Sequence, residues 1–128
     1  MIKDILNKFK FKGATGIIVN APAAIEQEFT QLGFNNLPDK KTKSCNTVVF
    51  VNNYKEYIDF LKNGLKNIER DSVLWFAYPK GKSGIKTDIN RDILRVTAED
   101  FGITTVTAIS IDDTWSALRF RPIDKVGK

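Results

Sequence analysis

Two stretches of this sequence are apolar at every position or nearly so, and they constrain the fold more than any other feature. They are TVVFV at 47–51 and VLWFAY at 73–78. A strand with one face in water alternates apolar and polar side chains, whereas a strand covered on both faces is apolar throughout. Segments with apolar residues at helical spacing separate such runs. The pattern predicts a parallel sheet with helices on both faces.

The remaining segments extend this pattern into the order β-α-β-α-β-α-β-β after a leading helix at 2–9. The first strand is GIIVN, and the last two, ITTVTAISI and WSALRFR, form a hairpin. The third long helix can carry the chain past a vacant position in the sheet, which the last strand then fills. We therefore expect one Rossmann-like, three-layer α/β sandwich over residues 1–128, with a mostly parallel five-stranded sheet in the order 1-2-3-5-4.

Two residue counts limit the chemistry of the chain. It contains no histidine and a single cysteine, Cys45. Ser-His and Cys-His nucleophile pairs are thereby excluded, and so is a zinc site built from several thiolates. We assign no catalytic residue, no metal and no cofactor from the sequence.

Charge and hydropathy bear on the location and the partners of the chain. The N-terminus lacks the apolar core of a signal peptide, and no segment approaches the roughly 20 apolar residues of a membrane span. We expect a cytoplasmic protein with no membrane partner. The net charge is +5, yet no nucleic-acid-binding signature occurs. We therefore do not expect a nucleic-acid partner, and the basic charge keeps nucleic acid as the alternative.

The letters GKS at 81–83 resemble part of a phosphate-binding loop. The complete loop is G-x-x-x-x-G-K-[ST], and its first glycine would fall on Phe76, inside a predicted strand. Without that glycine the backbone cannot curl around a phosphate, so we reject this interpretation.

A looser anion site remains as a hypothesis. In open α/β sheets, ligands lie beyond the carboxyl ends of the parallel strands. The residues expected at that edge are Lys80, Lys82, Ser83, Asn20 and Asn52. The alternative is a set of ordinary polar loops, in which asparagines serve as turn and cap residues.

Arg119 is expected to lie beneath a helix if the last strand is central. An unpaired buried guanidinium is costly, so a structural ion pair of Arg119 with Asp88 or Asp92 is predicted. Asp88 is also the predicted N-cap of the third long helix.

Three segments carry a resemblance to a known family. LWFAYPK at 74–80, KTDINRD at 86–92 and DDTWSALRFRP at 112–122 resemble a bacterial domain-of-unknown-function family common in actinobacteria. The resemblance implies no particular reaction. More distantly, residues 46–121 are similar in plan to the second half of a Rossmann-type methyltransferase. That family binds its cofactor in a Gly-rich loop after its first strand, where this chain has VNAPAA.

Two functions follow as hypotheses. The first is a non-catalytic binding or interaction domain, which agrees with the missing histidine and the missing nucleotide motif. The alternative is an enzyme or receptor for a small phosphorylated or carboxylated metabolite at the carboxyl edge of the sheet.

Overall fold

The structure is a computed structural model that describes residues 5–12, 16–36, 44–81 and 84–126. The strands are β1 (Ile17–Val19), β2 (Ser44–Phe50), β3 (Ile68–Pro79), β4 (Ile103–Ser110) and β5 (Trp115–Pro122). The helices are α1 (Ala23–Gln31), α2 (Tyr54–Asn63) and α3 (Arg91–Glu99), with short 3-10 turns at Leu6–Phe9, Leu65–Asn67 and Ile123–Lys125. The described part of the expected leading helix is the first of these turns.

The five strands form one sheet in the order β1-β2-β3-β5-β4. The last strand thus lies between the third and the fourth strands, in the position that the long connection through α3 leaves vacant. β1 pairs parallel with β2, and β2 with β3, whereas β5 is antiparallel to both β3 and β4. The sheet is therefore mixed rather than mostly parallel, because one inserted antiparallel strand creates two antiparallel pairings.

Each face of the sheet carries its own hydrophobic core. On one face, Phe9 of the first 3-10 turn and Phe29 of α1 belong to one core with Trp75 and Trp115. The Trp75 indole Nε1 also donates a hydrogen bond to the Phe9 carbonyl at 3.0 Å. On the other face, side chains of α2 and α3 cover Val49, Leu74, Phe76, Leu118 and Phe120. These two cores explain why the runs at 47–51 and 73–78, in the second halves of β2 and β3, are almost entirely apolar.

The cap of α3 differs from the sequence prediction. The N-cap is Asn90, whose side chain accepts a hydrogen bond from the Ile93 N–H at 2.9 Å. Asp88 instead accepts from the Tyr54 N–H at 2.7 Å, at the first residue of α2. The prediction that Asp88 caps α3 is wrong, because its carboxylate serves the start of a different helix.

No helix in the described ranges is both long enough and apolar enough to cross a membrane.

Candidate binding site

A cavity of about 490 Å³ opens between β1 and α2. We call it the β1–α2 cavity. Its apolar part is formed by Ile17, Val19, Val49, Val51, Phe60 and Ile68. Its polar part is formed by Asn20, Asn36, Thr47, Glu56, Asp59, Asn63 and Asn67. The volume lies in the range of small-molecule sites, which are mostly apolar with a few polar groups that orient the ligand.

The cavity exists because helices cover the two faces of the sheet unequally. Ile18 points to the face of α1 and is buried in that core. Val19 points to the other face, where α2 packs on the sheet mainly through its own Tyr57 and Leu61. Between α2 and the edge strand, the side chains of Ile17 and Val49 therefore line an open space.

Glu56 is the best-anchored polar residue of the cavity. Its Oε1 accepts hydrogen bonds from the Asn52 N–H at 2.9 Å, the Asn52 side-chain amide at 3.1 Å and the Asn20 side-chain amide at 3.0 Å. Its Oε2 accepts no hydrogen bond from a residue in the described ranges. The carboxylate is thus held in one orientation and retains a free acceptor.

Asn20 supports this arrangement from a sparsely populated backbone conformation. Its φ of 59° lies in the left-handed region, where asparagine is tolerated better than most residues. Its side-chain amide also donates to the Phe50 carbonyl at 2.9 Å, which joins the ends of β1 and β2. Non-glycine residues in such conformations occur preferentially at functional sites, although they also occur in ordinary turns.

The charge of the cavity is opposite to that of the whole chain. Its lining contains two carboxylates, Glu56 and Asp59, and no lysine or arginine among the described residues. The chain as a whole carries a net charge of +5. An acidic, largely apolar cavity attracts cations and hydrogen-bond donors and disfavours anions.

The residues of the predicted anion site do not converge on a free pocket in the described structure. The amides of Asn20 and Asn52 already bind the carboxylate of Glu56. The Lys80 ammonium donates to the Ser110 hydroxyl at 2.6 Å, at the end of β4, and the Lys80 N–H donates to the Thr114 carbonyl. Lys82 and Ser83 lie outside the described residues.

Arg119 does not form the predicted ion pair with Asp88 or Asp92. It shares a face of β5 with Ala117, which belongs to the core beneath α1, whereas α3 packs on the opposite face. Its Nε is buried and has no hydrogen-bond partner among the described residues. Burial, and then the neighbouring charge of Arg121, lower the pKa of the Arg119 guanidinium. The prediction failed because it placed Arg119 on the α3 side of the sheet.

The ion pair near this position joins Arg121 to Asp71. Arg121 Nε lies 2.9 Å from Asp71 Oδ1, and Nη2 lies 3.1 Å from Oδ2, so the pair is bidentate. The hydrogen bond from Arg121 lowers the pKa of the Asp71 carboxyl. Asp71 was not among the sequence candidates, and its partner is 50 residues away along the chain.

Other polar residues have structural roles. Asp112 Oδ1 accepts hydrogen bonds from the Thr114 and Trp115 N–H groups, both at 2.8 Å, and so shapes the turn between β4 and β5. In the ranges that the structure describes, no three histidine, cysteine, aspartate or glutamate side chains form a group that could hold a metal ion.

Glu56 was missed by the sequence analysis, although a signal for it exists. Asn53 and Glu56 have the spacing of a helix-capping box, and the Asn53 side chain does accept from the Glu56 N–H at 2.9 Å. That spacing places Glu56 in the first turn of the helix after β2, beside the asparagine at the end of the strand. The cavity itself has no local signal, because it depends on where α2 lies over the sheet.

No protein-family model matches the chain, and no curated protein matches it. The resemblance to a bacterial family of unknown function therefore remains a prediction. Among solved structures, the chain is similar to LepI in complex with SAM, at 12% identity and a TM-score of 0.49. The likeness covers 94% of this chain but only 39% of that one, and we carry no residue role over from it.

Proposed function

We propose that this chain is a non-catalytic binding domain whose ligand is a small organic cation with an apolar body, held in the β1–α2 cavity. The observation that carries the proposal is the position of the Glu56 carboxylate at an apolar cavity of about 490 Å³. Val19, Val49 and Phe60 would contact the apolar body of the ligand. The free Oε2 of Glu56 would accept a hydrogen bond from its ammonium group.

The charge of the lining favours this ligand class over an anionic metabolite. A phosphate or carboxylate in the cavity would face Glu56 and Asp59, and no lysine or arginine is among the described residues that line it. Like charges in a partly desolvated site cost more than they do in water. The side-chain amides of Asn20 and Asn52, which are donors suited to an anion, already bind Glu56.

Benzylammonium and phenylacetate are suitable probes, since each carries an aromatic ring and they differ in the sign of their charge. We expect benzylammonium to bind, with the weak affinity typical of a ligand this small, and phenylacetate to bind more weakly. Isothermal titration calorimetry at low salt measures both. Tighter binding of phenylacetate would overturn the proposal.

The Glu56→Gln variant tests whether the Glu56 carboxylate binds the ligand. The glutamine oxygen can still accept from Asn20 and Asn52, so the local structure is retained while the charge is removed. Loss of a charged hydrogen bond worth about 1.4 kcal/mol weakens binding about tenfold. Glu69→Gln is the matched control, because Glu69 is exposed and does not line the cavity. Equal affinity of the Glu56→Gln variant and the control would contradict the assignment of Glu56.

A further inference from the structure

The outer edge of β4 is open in the described structure. β4 (Ile103–Ser110) pairs with β5 on one side and with no strand on the other. Its sequence, ITTVTAIS, contains no charged residue and no proline. Thr107, Ala108 and Ser110 are exposed, and Val106 is 36% exposed. Lysine and proline usually protect such edges; here β4 itself has a bulge at Val106, where the register with β5 shifts, and the Lys80 ammonium binds the Ser110 hydroxyl at its end.

The backbone groups that face outward can be identified from the register. The Ile111 N–H donates to the Trp115 carbonyl at 2.9 Å, so this pair is hydrogen-bonded across the hairpin. Hydrogen-bonded and non-hydrogen-bonded pairs alternate in an antiparallel ladder. Ile109 and Thr107 therefore bond to β5, whereas the N–H and C=O groups of Ala108 and Ser110 point outward. No backbone group in the described ranges bonds to them.

The opposite edge of the sheet is protected. β1 is three residues long, and the Asn35 backbone covers part of its outer side. The Ile18 N–H donates to the Asn35 carbonyl, and the Asn35 N–H donates to the Gly16 carbonyl, both at 2.9 Å. Within the described ranges the sheet therefore has one long open edge, which favours a closed pair of molecules over an extended chain of them.

We propose that two copies of this chain pair antiparallel through the end of β4, with Ala108 of one copy opposite Ser110 of the other, and form one continuous sheet. A second copy suits this edge because an antiparallel pairing of identical strands is two-fold symmetric. The uncharged strand meets itself without opposing like charges. The side chains of Thr107, Ala108 and Ser110 are small, so the two backbones can approach to hydrogen-bonding distance. The bulge at Val106 limits the pairing to the residues that follow it.

Sedimentation velocity over a wide range of protein concentration tests the proposal. We expect the wild-type chain to change from monomer to dimer as its concentration rises. Ala108→Lys should stay monomeric, because the symmetric pairing brings the two added charges close together. Ala108→Pro should also stay monomeric, because it removes an outward N–H and leaves the ladder to β5 intact. Ala24→Lys on α1 is the matched control, since Ala24 is exposed on a helix away from β4, and it should dimerise like wild type.

Hydrogen exchange of the wild-type chain gives an independent result that does not depend on how a variant folds. The amides of Ala108 and Ser110 should exchange slowly in the dimer and fast in the monomer, whereas those of Thr107 and Ile109 should be protected in both. A wild-type chain that remains monomeric at every concentration would overturn the proposal. Dimers that persist in both folded Ala108 variants, or whose Ala108 and Ser110 amides exchange as fast as in the monomer, would overturn it as well.

Discussion

Arg119 shows how strand alternation can predict the neighbours of a residue on a sheet face without predicting its partner. Alternation along the last strand places Arg119 on the same face as Trp115 and Ala117, which the core packing confirms for those two neighbours. The same alternation does not reveal which helix covers that face. The expected partners, Asp88 and Asp92, belong to the opposite side of the sheet, and the buried Arg119 Nε forms no hydrogen bond within the described part of the chain.

Replacing Arg119 with methionine should therefore cost little stability. Methionine keeps an unbranched side chain in place and removes the desolvation penalty of the guanidinium. We expect the free energy of unfolding to stay within about 0.5 kcal/mol of wild type or to rise, as measured by urea denaturation. A loss of about 3 kcal/mol or more would indicate a broken buried ion pair and would contradict this interpretation.

The ion pair of Asp71 and Arg121 makes the stability of the fold depend on pH, and the sign of that dependence can be predicted. The Arg121 hydrogen bond lowers the folded-state pKa of Asp71 below the unfolded value of about 3.9. The stabilisation is therefore fully present above the unfolded pKa and is lost as the pH falls through the lower folded pKa. Asp71→Asn removes the charge and tolerates the φ of 57° at this position.

The difference in unfolding free energy between wild type and Asp71→Asn is the quantity to measure. It should be constant near neutral pH and shrink as the pH falls below about 4. A difference that is unchanged down to the acid limit of folding would show that the ionised carboxylate of Asp71 does not contribute.

At the scale of elements, the sequence predicts where helices begin better than it predicts which residue caps them. Asp88 and Asn90 are both good N-cap residues, and they are two positions apart. The structure uses Asn90 for α3 and aims Asp88 at the Tyr54 N–H of α2, 34 residues away along the chain. That distant partner could not be predicted, because it depends on how the loop after β3 crosses the start of α2.

Asp88→Ala should destabilise the chain through α2, although the residue precedes α3. It removes the acceptor for the Tyr54 N–H, one of the unpaired donors of a helix start. We expect a loss of about 0.5–2 kcal/mol in the free energy of unfolding. Asp113→Ala, at an exposed turn position, is the control and should change it by less than about 0.5 kcal/mol. Equal effects of the two changes would contradict the capping role.

At the scale of the whole molecule, the apolar runs at β2 and β3 were sufficient to predict a sheet between two helical layers. The hairpin of β4 and β5 was also readable, because TAIS and WSALRF flank a short polar turn. The β1–α2 cavity was not readable, because it results from the unequal cover of β1 on the two faces. The ligand was predicted near Lys80 because the sequence identifies the carboxyl edge of the sheet but not the side chains that meet there.

Amide chemical shifts recorded during a titration with benzylammonium test the central claim, because they locate the ligand as well as detect it. The account predicts shifts at Val19, Val49 and Glu56, which line the β1–α2 cavity, and smaller shifts in the Glu56→Gln variant. It would be contradicted if phenylacetate or inorganic phosphate produced the larger shifts, centred on Lys80 and Gly81, while the amides of the cavity stayed unchanged.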